Sequence, residues 1–219
     1  VDIDGNESIA SASVEAAPSS SLAGPTEMNG GVIATDTIWL SSRSPYNIND
    51  NILIREESGL LLMAGTQVQF AEENKHILVK GSIQAYGTAD SKVLISNAPG
   101  LNADPGSIRY DSTKNTTWRH TQWDFVSSFT LGGSGGENLH VRFEHADINL
   151  GWPYAFDYIK SITHSRLSFH TCISYSQSRI DYISYTYIVL APGVEPCDLD
   201  GHTNNRLSSS VMHQVTAEN

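Results

Sequence analysis

Four sets of side chains in this sequence have types and spacings that could do chemistry. Arg142 and Glu144 stand two apart in VRFE, so a strand would put both on one face. A base beside acidic calcium ligands is what a polysaccharide lyase requires. The same two residues are also the ordinary solvated side of a strand whose other side is Val141 and Phe143. Glycoside hydrolysis needs a pair of carboxylates flanking the scissile bond, and the chain contains neither an Asp-Asp pair nor a Gly-His-Gly word.

Metal ligation is the second chemistry to consider. His140 and His145 are five apart in a strand-like word, which at ~3.3 Å per residue puts them on opposite faces and too far apart for one ion. His164 and His170 could meet other histidines only across turns, so the expectation is corner or surface histidines making single hydrogen bonds. Asp198-Leu199-Asp200-Gly201 and Asp2-Ile3-Asp4-Gly5 begin like calcium loops. The twelfth loop position is Ser209 in one and Ser13 in the other, where a bidentate Glu is needed, so both read as polar turns. No catalytic residue, metal ligand or cofactor is therefore assigned.

Covalent chemistry is the third set. Cys172 and Cys197 could form one bridge, worth ~3 kcal/mol for a loop of this length; a buried free thiol at Cys172 is the alternative. Asn6 and Asn115 each open an Asn-x-Ser/Thr triplet that could accept a glycan on the secretory route. The fourth set is aromatic: Tyr154, Tyr158, Tyr175, Tyr182, Tyr185 and Tyr187 crowd the last third among Ser, His and Arg. They suit either stacking along successive strands or a contact surface for protein or carbohydrate.

The elements that must position these residues are short. ILI (52–54), LLLM (60–63), VQF (68–70), ILV (77–79) and VLI (93–95) alternate with Gly, Asn, Asp, Ser and Glu, and no window carries a capped helical stripe. The chain reads as all-β. Offset by sixteen residues, Leu61–Gly65 falls on Ile77–Gly81 and then on Val93–Asn97, an apolar strand followed by a residue suited to a sharp corner. Leu139, Ile162 and Ile183 recur more loosely, at spacings of 23 and 21. Gly132–Gly136 and the longer stretch Asn97–Thr121 read as excursions from corners. An antiparallel sandwich is the competing architecture, and no Asn-Gly or Asp-Gly turn joins matched strands to support it.

Residues 1–30 are rich in Ser, Ala, Gly and Glu and lack aromatics, which predicts a flexible tail. The expected domain spans 31–195, with strands stopping at Ala191-Pro192-Gly193 and a polar tail over 196–219. Thirteen basic against 24 acidic residues give a net charge of −11, which disfavours nucleic acid and anionic membranes. The longest apolar runs, Leu60–Ala64 and Tyr187–Ala191, are far short of a membrane span. A start at Val1 without initiator Met or leader reads as a processed product or an excised piece.

Residues 44–97 resemble right-handed parallel β-helix domains of the NosD-like and pectate-lyase-like superfamily, closest in style to extracellular modules of animal surface proteins. The words that carry the resemblance are Pro45-Tyr46, Leu60–Met63, Gly65-Thr66, Val68-Gln69-Phe70, Val79-Lys80-Gly81 and Ile83–Thr88, with Gln122–Phe125 as a Trp-containing strand beyond them. The resemblance implies a single-stranded right-handed parallel β-helix, a β-solenoid, behind a disordered N-terminal tail. It specifies architecture rather than activity. The expected function is a non-enzymatic, secreted module for adhesion, matrix or structural assembly, contacting protein, carbohydrate or a second copy through its lateral faces or open end. A polysaccharide lyase or glycosidase, or an inactive carbohydrate-binding relative, is the alternative.

Overall fold

The computed structural model describes residues 23–101, 106–111, 114–128, 130–132, 141–152, 159–169, 182–184, 186–190, 206–208 and 211–214. In chain order the strands are β1 (Thr26–Ile33), β2 (Thr37–Trp39), β3 (Tyr46–Ile54), β4 (Gly59–Met63), β5 (Gln67–Phe70), β6 (His76–Val79), β7 (Ser82–Tyr86) and β8 (Val93–Asn97). They continue with β9 (Ser107–Tyr110), β10 (Thr116–Arg119), β11 (Thr121–Ser128), β12 (Thr130–Gly132), β13 (Val141–Glu144) and β14 (Asp147–Trp152). Last come β15 (Ile159–Thr163), β16 (Arg166–Phe169), β17 (Tyr182–Ser184), β18 (Tyr187–Leu190), β19 (Arg206–Ser208) and β20 (Val211–Gln214). All five apolar words read from the sequence lie in strands.

Every pairing among the described residues is parallel, and none joins strands adjacent in sequence. An antiparallel sandwich is thereby excluded for them. The first ladder runs β2-β4-β7-β10-β13-β15-β17-β19. The second runs β3-β5-β8-β11-β14-β16-β18-β20, and the third β3-β6-β9-β12. Strand β3 serves two of them: Tyr46–Ile48 pairs with β5 and Ile52–Ile54 with β6. From β4 the chain visits the second and third ladders and returns to the first at β7, one rung on. This is a β-solenoid-like, all-β fold of stacked parallel strands.

The sixteen-residue register is not the stacking repeat. Leu61 opposes Ile38 and Gln84, Ile77 opposes Ile52 and Ile108, and Val93 opposes Thr121. The offset steps two of the three ladders round the coil, so it superposes similar words from different ladders. True partners lie farther apart, as Leu60 with Ile83 or Ile52 with Ile77. The looser recurrence of Ile162 and Ile183 does mark a rung, since the two are register partners; Leu139 lies outside the described residues.

The three residues equated at the corner also differ. Gly65 is left-handed (φ 77). At Gly81 a Cβ would come within 1.9 Å of the Ser58 carbonyl oxygen, so close approach requires the glycine there. Asn97 ends a strand and pairs with Phe70.

Strands also occur where excursions and tails were expected. Ser107–Tyr110 and Thr116–Arg119 fall inside Asn97–Thr121, because Ile108, Tyr110 and Trp118 supply buried apolar positions in words otherwise rich in Ser, Thr and Arg. Strand β1 starts at Thr26, inside the segment read as tail, and pairs along β3. Strands β19 and β20 lie in the segment read as a polar C-terminal tail and extend both ladders past Val189, pairing with β17 and β18. Residues 1–22 lie outside the described residues.

The core fills the space between the ladders. Alternate residues point inward, as the burial of Leu60 and Leu62 in β4 and of Val68 and Phe70 in β5 shows. Aromatic side chains occupy successive rungs. Trp39 stacks on Tyr46 at 4.3 Å, and Trp118 meets Trp123 edge-on at 4.7 Å. Trp123 meets Phe143 edge-on at 5.7 Å. Their polar atoms are satisfied: the Trp118 indole donates to Tyr110 Oη at 2.9 Å, and the Trp123 indole to Thr121 Oγ1 at 3.0 Å. Burial pushes the Tyr110 phenol far above its ordinary pKa, so it stays neutral.

Candidate functional site

In stacked parallel strands the residues opposite the core form columns along the stacking direction, and these columns are the outer surface. On the second ladder much of the outward column is polar, and several of its side chains bond from rung to rung. Glu27 accepts Asn47 Nδ2 at 2.7 Å on one carboxylate oxygen and Asn49 Nδ2 at 2.6 Å on the other, and Asn49 also donates to Asn29. These amides hold the Glu27 carboxyl below its ordinary range, Asn49 most strongly. Farther on, Asn149 donates to Asp124 at 3.0 Å, and Lys92 is paired with Asp147. On the third ladder Lys75 pairs with Asp50 at 3.2 Å and Lys80 with Asp111 at 3.6 Å. The Asn51 backbone N–H, followed by Lys75, holds Asp50 low. Such polar columns join one rung to the next.

Apolar side chains are exposed in two places: Val32 of β1, 52% exposed opposite half-buried Leu53, and the start of the first ladder. Ile38 is 57% exposed, Leu40 46%, Met63 39% and Tyr86 43%. Ile38 opposes half-buried Leu61, and Met63 opposes Tyr86, so these residues form one apolar surface over β2, β4 and β7. Its far border is polar: Gln84, accepting the Tyr86 hydroxyl at 2.5 Å, then Thr117 and Arg119 of β10. Grouped apolar side chains on an outer face with a polar margin are the pattern of a protein contact surface. The apolar words of the sequence contain the signal: in a half-buried strand only alternate residues of LLLM can face inward, so Leu61 and Met63 must face out.

A second feature lies at the corners after first-ladder strands. His120, His145 and His164 follow β10, β13 and β15, and their rings stack in one column. His145 is thus a corner residue rather than part of the strand, and it does meet His164 across a turn. Arg142 is exposed on β13, with Glu144 two residues on and register-paired with Arg119. Among the described residues, no three His, Cys, Asp or Glu side chains are grouped so that they could hold a metal ion.

Asn115 is exposed just before β10. Tyr182 begins β17 opposite Arg206, and Tyr187 begins β18 opposite Arg166. Asn6, Cys172, Cys197, Tyr154, Tyr158, Tyr175, Tyr185, His140 and His170 lie outside the described residues. No helix among the described residues is long and apolar enough to cross a membrane.

Over 72 residues, a third of its length, the chain is 33% identical to Protein bark beetle of Drosophila melanogaster, of which it spans about 2%. No family model matches the chain, and no solved structure matches it.

Proposed function

We propose that this chain is a right-handed parallel β-helix module, secreted and non-enzymatic, that serves adhesion, matrix or structural assembly through its lateral faces. The observation that carries the reading is the exposed apolar surface of Ile38, Leu40, Met63 and Tyr86 on adjacent strands, beside a second ladder with polar side chains bonded from rung to rung. Area of this kind gains free energy when another surface covers it. The parallel pairing and the wording of residues 44–97 support the β-helix, and the partial similarity to Protein bark beetle of Drosophila melanogaster agrees with the resemblance to animal modules.

Binding of the labelled protein to an animal extracellular-matrix preparation tests this directly. Lys at Ile38, Met63 and Tyr86 together should abolish binding while leaving the circular dichroism spectrum unchanged. Turnover of pectin, alginate or a related polymer, with or without calcium, would replace this reading with that of a polysaccharide-active enzyme.

A further inference from the structure

His120, His145 and His164 occupy the same corner on three successive rungs, each in left-handed backbone (φ 47, 53 and 50). Outside glycine that geometry is uncommon, and His is one of the few residues enriched in it, so three in one column call for an account. The rings lie face to face, 4.7 Å apart at 10° between His120 and His145 and 5.1 Å apart at 23° between His145 and His164. The same corners carry the ladder: the His120 N–H donates to the Glu144 carbonyl at 2.9 Å, and the His145 N–H to the Thr163 carbonyl at 3.1 Å. Ring column and strand stacking are therefore one structure.

Neutral imidazoles can stack at this spacing, whereas adjacent imidazolium rings repel. Charged groups nearby act in both directions. Arg119 and Lys92 disfavour charge on His120 and Glu144 favours it; Lys92 is itself held by Asp147, which stands opposite Arg166 in register. Burial first, then His145, Arg119 and Lys92, hold His120 below the ordinary imidazole range.

We propose that this histidine column is a pH-sensitive clasp, closed while its rings are neutral and opened by protonation in mildly acidic surroundings, which loosens the three rungs it joins. At His120 the opened corner takes up a proton more readily than the closed one. The clasp's contribution is therefore complete above the ordinary imidazole pKa and is lost as pH falls through it.

Hydrogen exchange of the whole chain at about pH 7.5 and about pH 5.5, corrected for intrinsic rates, tests the clasp across the imidazole range. Amides of the corners at 120, 145 and 164 should lose protection roughly tenfold at the lower pH while those near Gly65 keep theirs, and H120N/H145N/H164N, which suits left-handed backbone, should remove the difference. Equal protection at both pH values, or the same pH dependence in the triple variant, would overturn the proposal. Should that variant fail to fold, NMR titration of the wild-type imidazoles decides. Broad, mutually shifted curves support the clasp, and three independent single-site curves refute it.

Discussion

Gly65 and Gly81 show how two glycines at similar places in their words answer different demands. Gly65 is left-handed, and a Cβ there would stand 2.8 Å from Ser91 Oγ, so Gly65→Ala should cost about 1–2 kcal/mol in urea denaturation. At Gly81 a Cβ would meet two backbone carbonyl oxygens, of Ser58 and Arg55, at 1.9 and 2.1 Å. Backbone cannot swing aside as a side chain can, so Gly81→Ala should cost more than Gly65→Ala, upward of about 2 kcal/mol. His120 makes the pH prediction: its charge is disfavoured in the fold, so stability should be flat above about pH 6.5 and fall as the solution is acidified through that value. A denaturation midpoint that rises on acidification through this window would contradict it. The sequence marks Gly65 as a corner, but gives no comparable mark to the histidines, because most histidines still lie outside the left-handed region and their stacking partners lie a whole rung away.

Strands make their own predictions through the alternation of inward and outward residues. Phe143 of β13 is fully buried against Trp123, so Phe143→Ala should cost about 3–5 kcal/mol by thermal or chemical denaturation. Met63 of β4 is exposed one residue from buried Leu62, so Met63→Lys should change stability by less than about 0.5 kcal/mol. If Met63→Lys unfolds the protein, the outward assignment of that column is wrong. Strands β3, β4, β5, β6 and β8 are legible because their words are strongly apolar. Strands β9 and β10 are not, since Ser, Thr and Arg fill their outer positions and the inward apolar signal is only Ile108 with Tyr110 in one and Trp118 in the other. The exposed apolar surface is hidden for the opposite reason: an unbroken apolar run reads as core until the inward parity is fixed by Trp39 and Leu62.

At the scale of the molecule the stacking order decides everything else. An all-β chain of short words is evident from the sequence, but the order in which they stack is not, because three ladders of similar strands make an offset of two-thirds of a coil look like a repeat. Corner lengths then vary from rung to rung, with Ile77 and Ile108 much farther apart than Phe143 and Ile162, and no fixed period survives. Parallel rungs place the outward columns, and the columns place both the apolar surface and the histidine clasp. Cross-linking of paired cysteines measures that order most directly, in a background where Cys172 and Cys197 are replaced by Ser. L61C/Q84C joins neighbours on the outer face of β4 and β7, at a spacing that permits a disulfide, and should close rapidly in the folded protein. L61C/I77C, sixteen apart on different ladders, should stay reduced. Closure of the second pair with failure of the first would contradict the stacked order and the surface built on it.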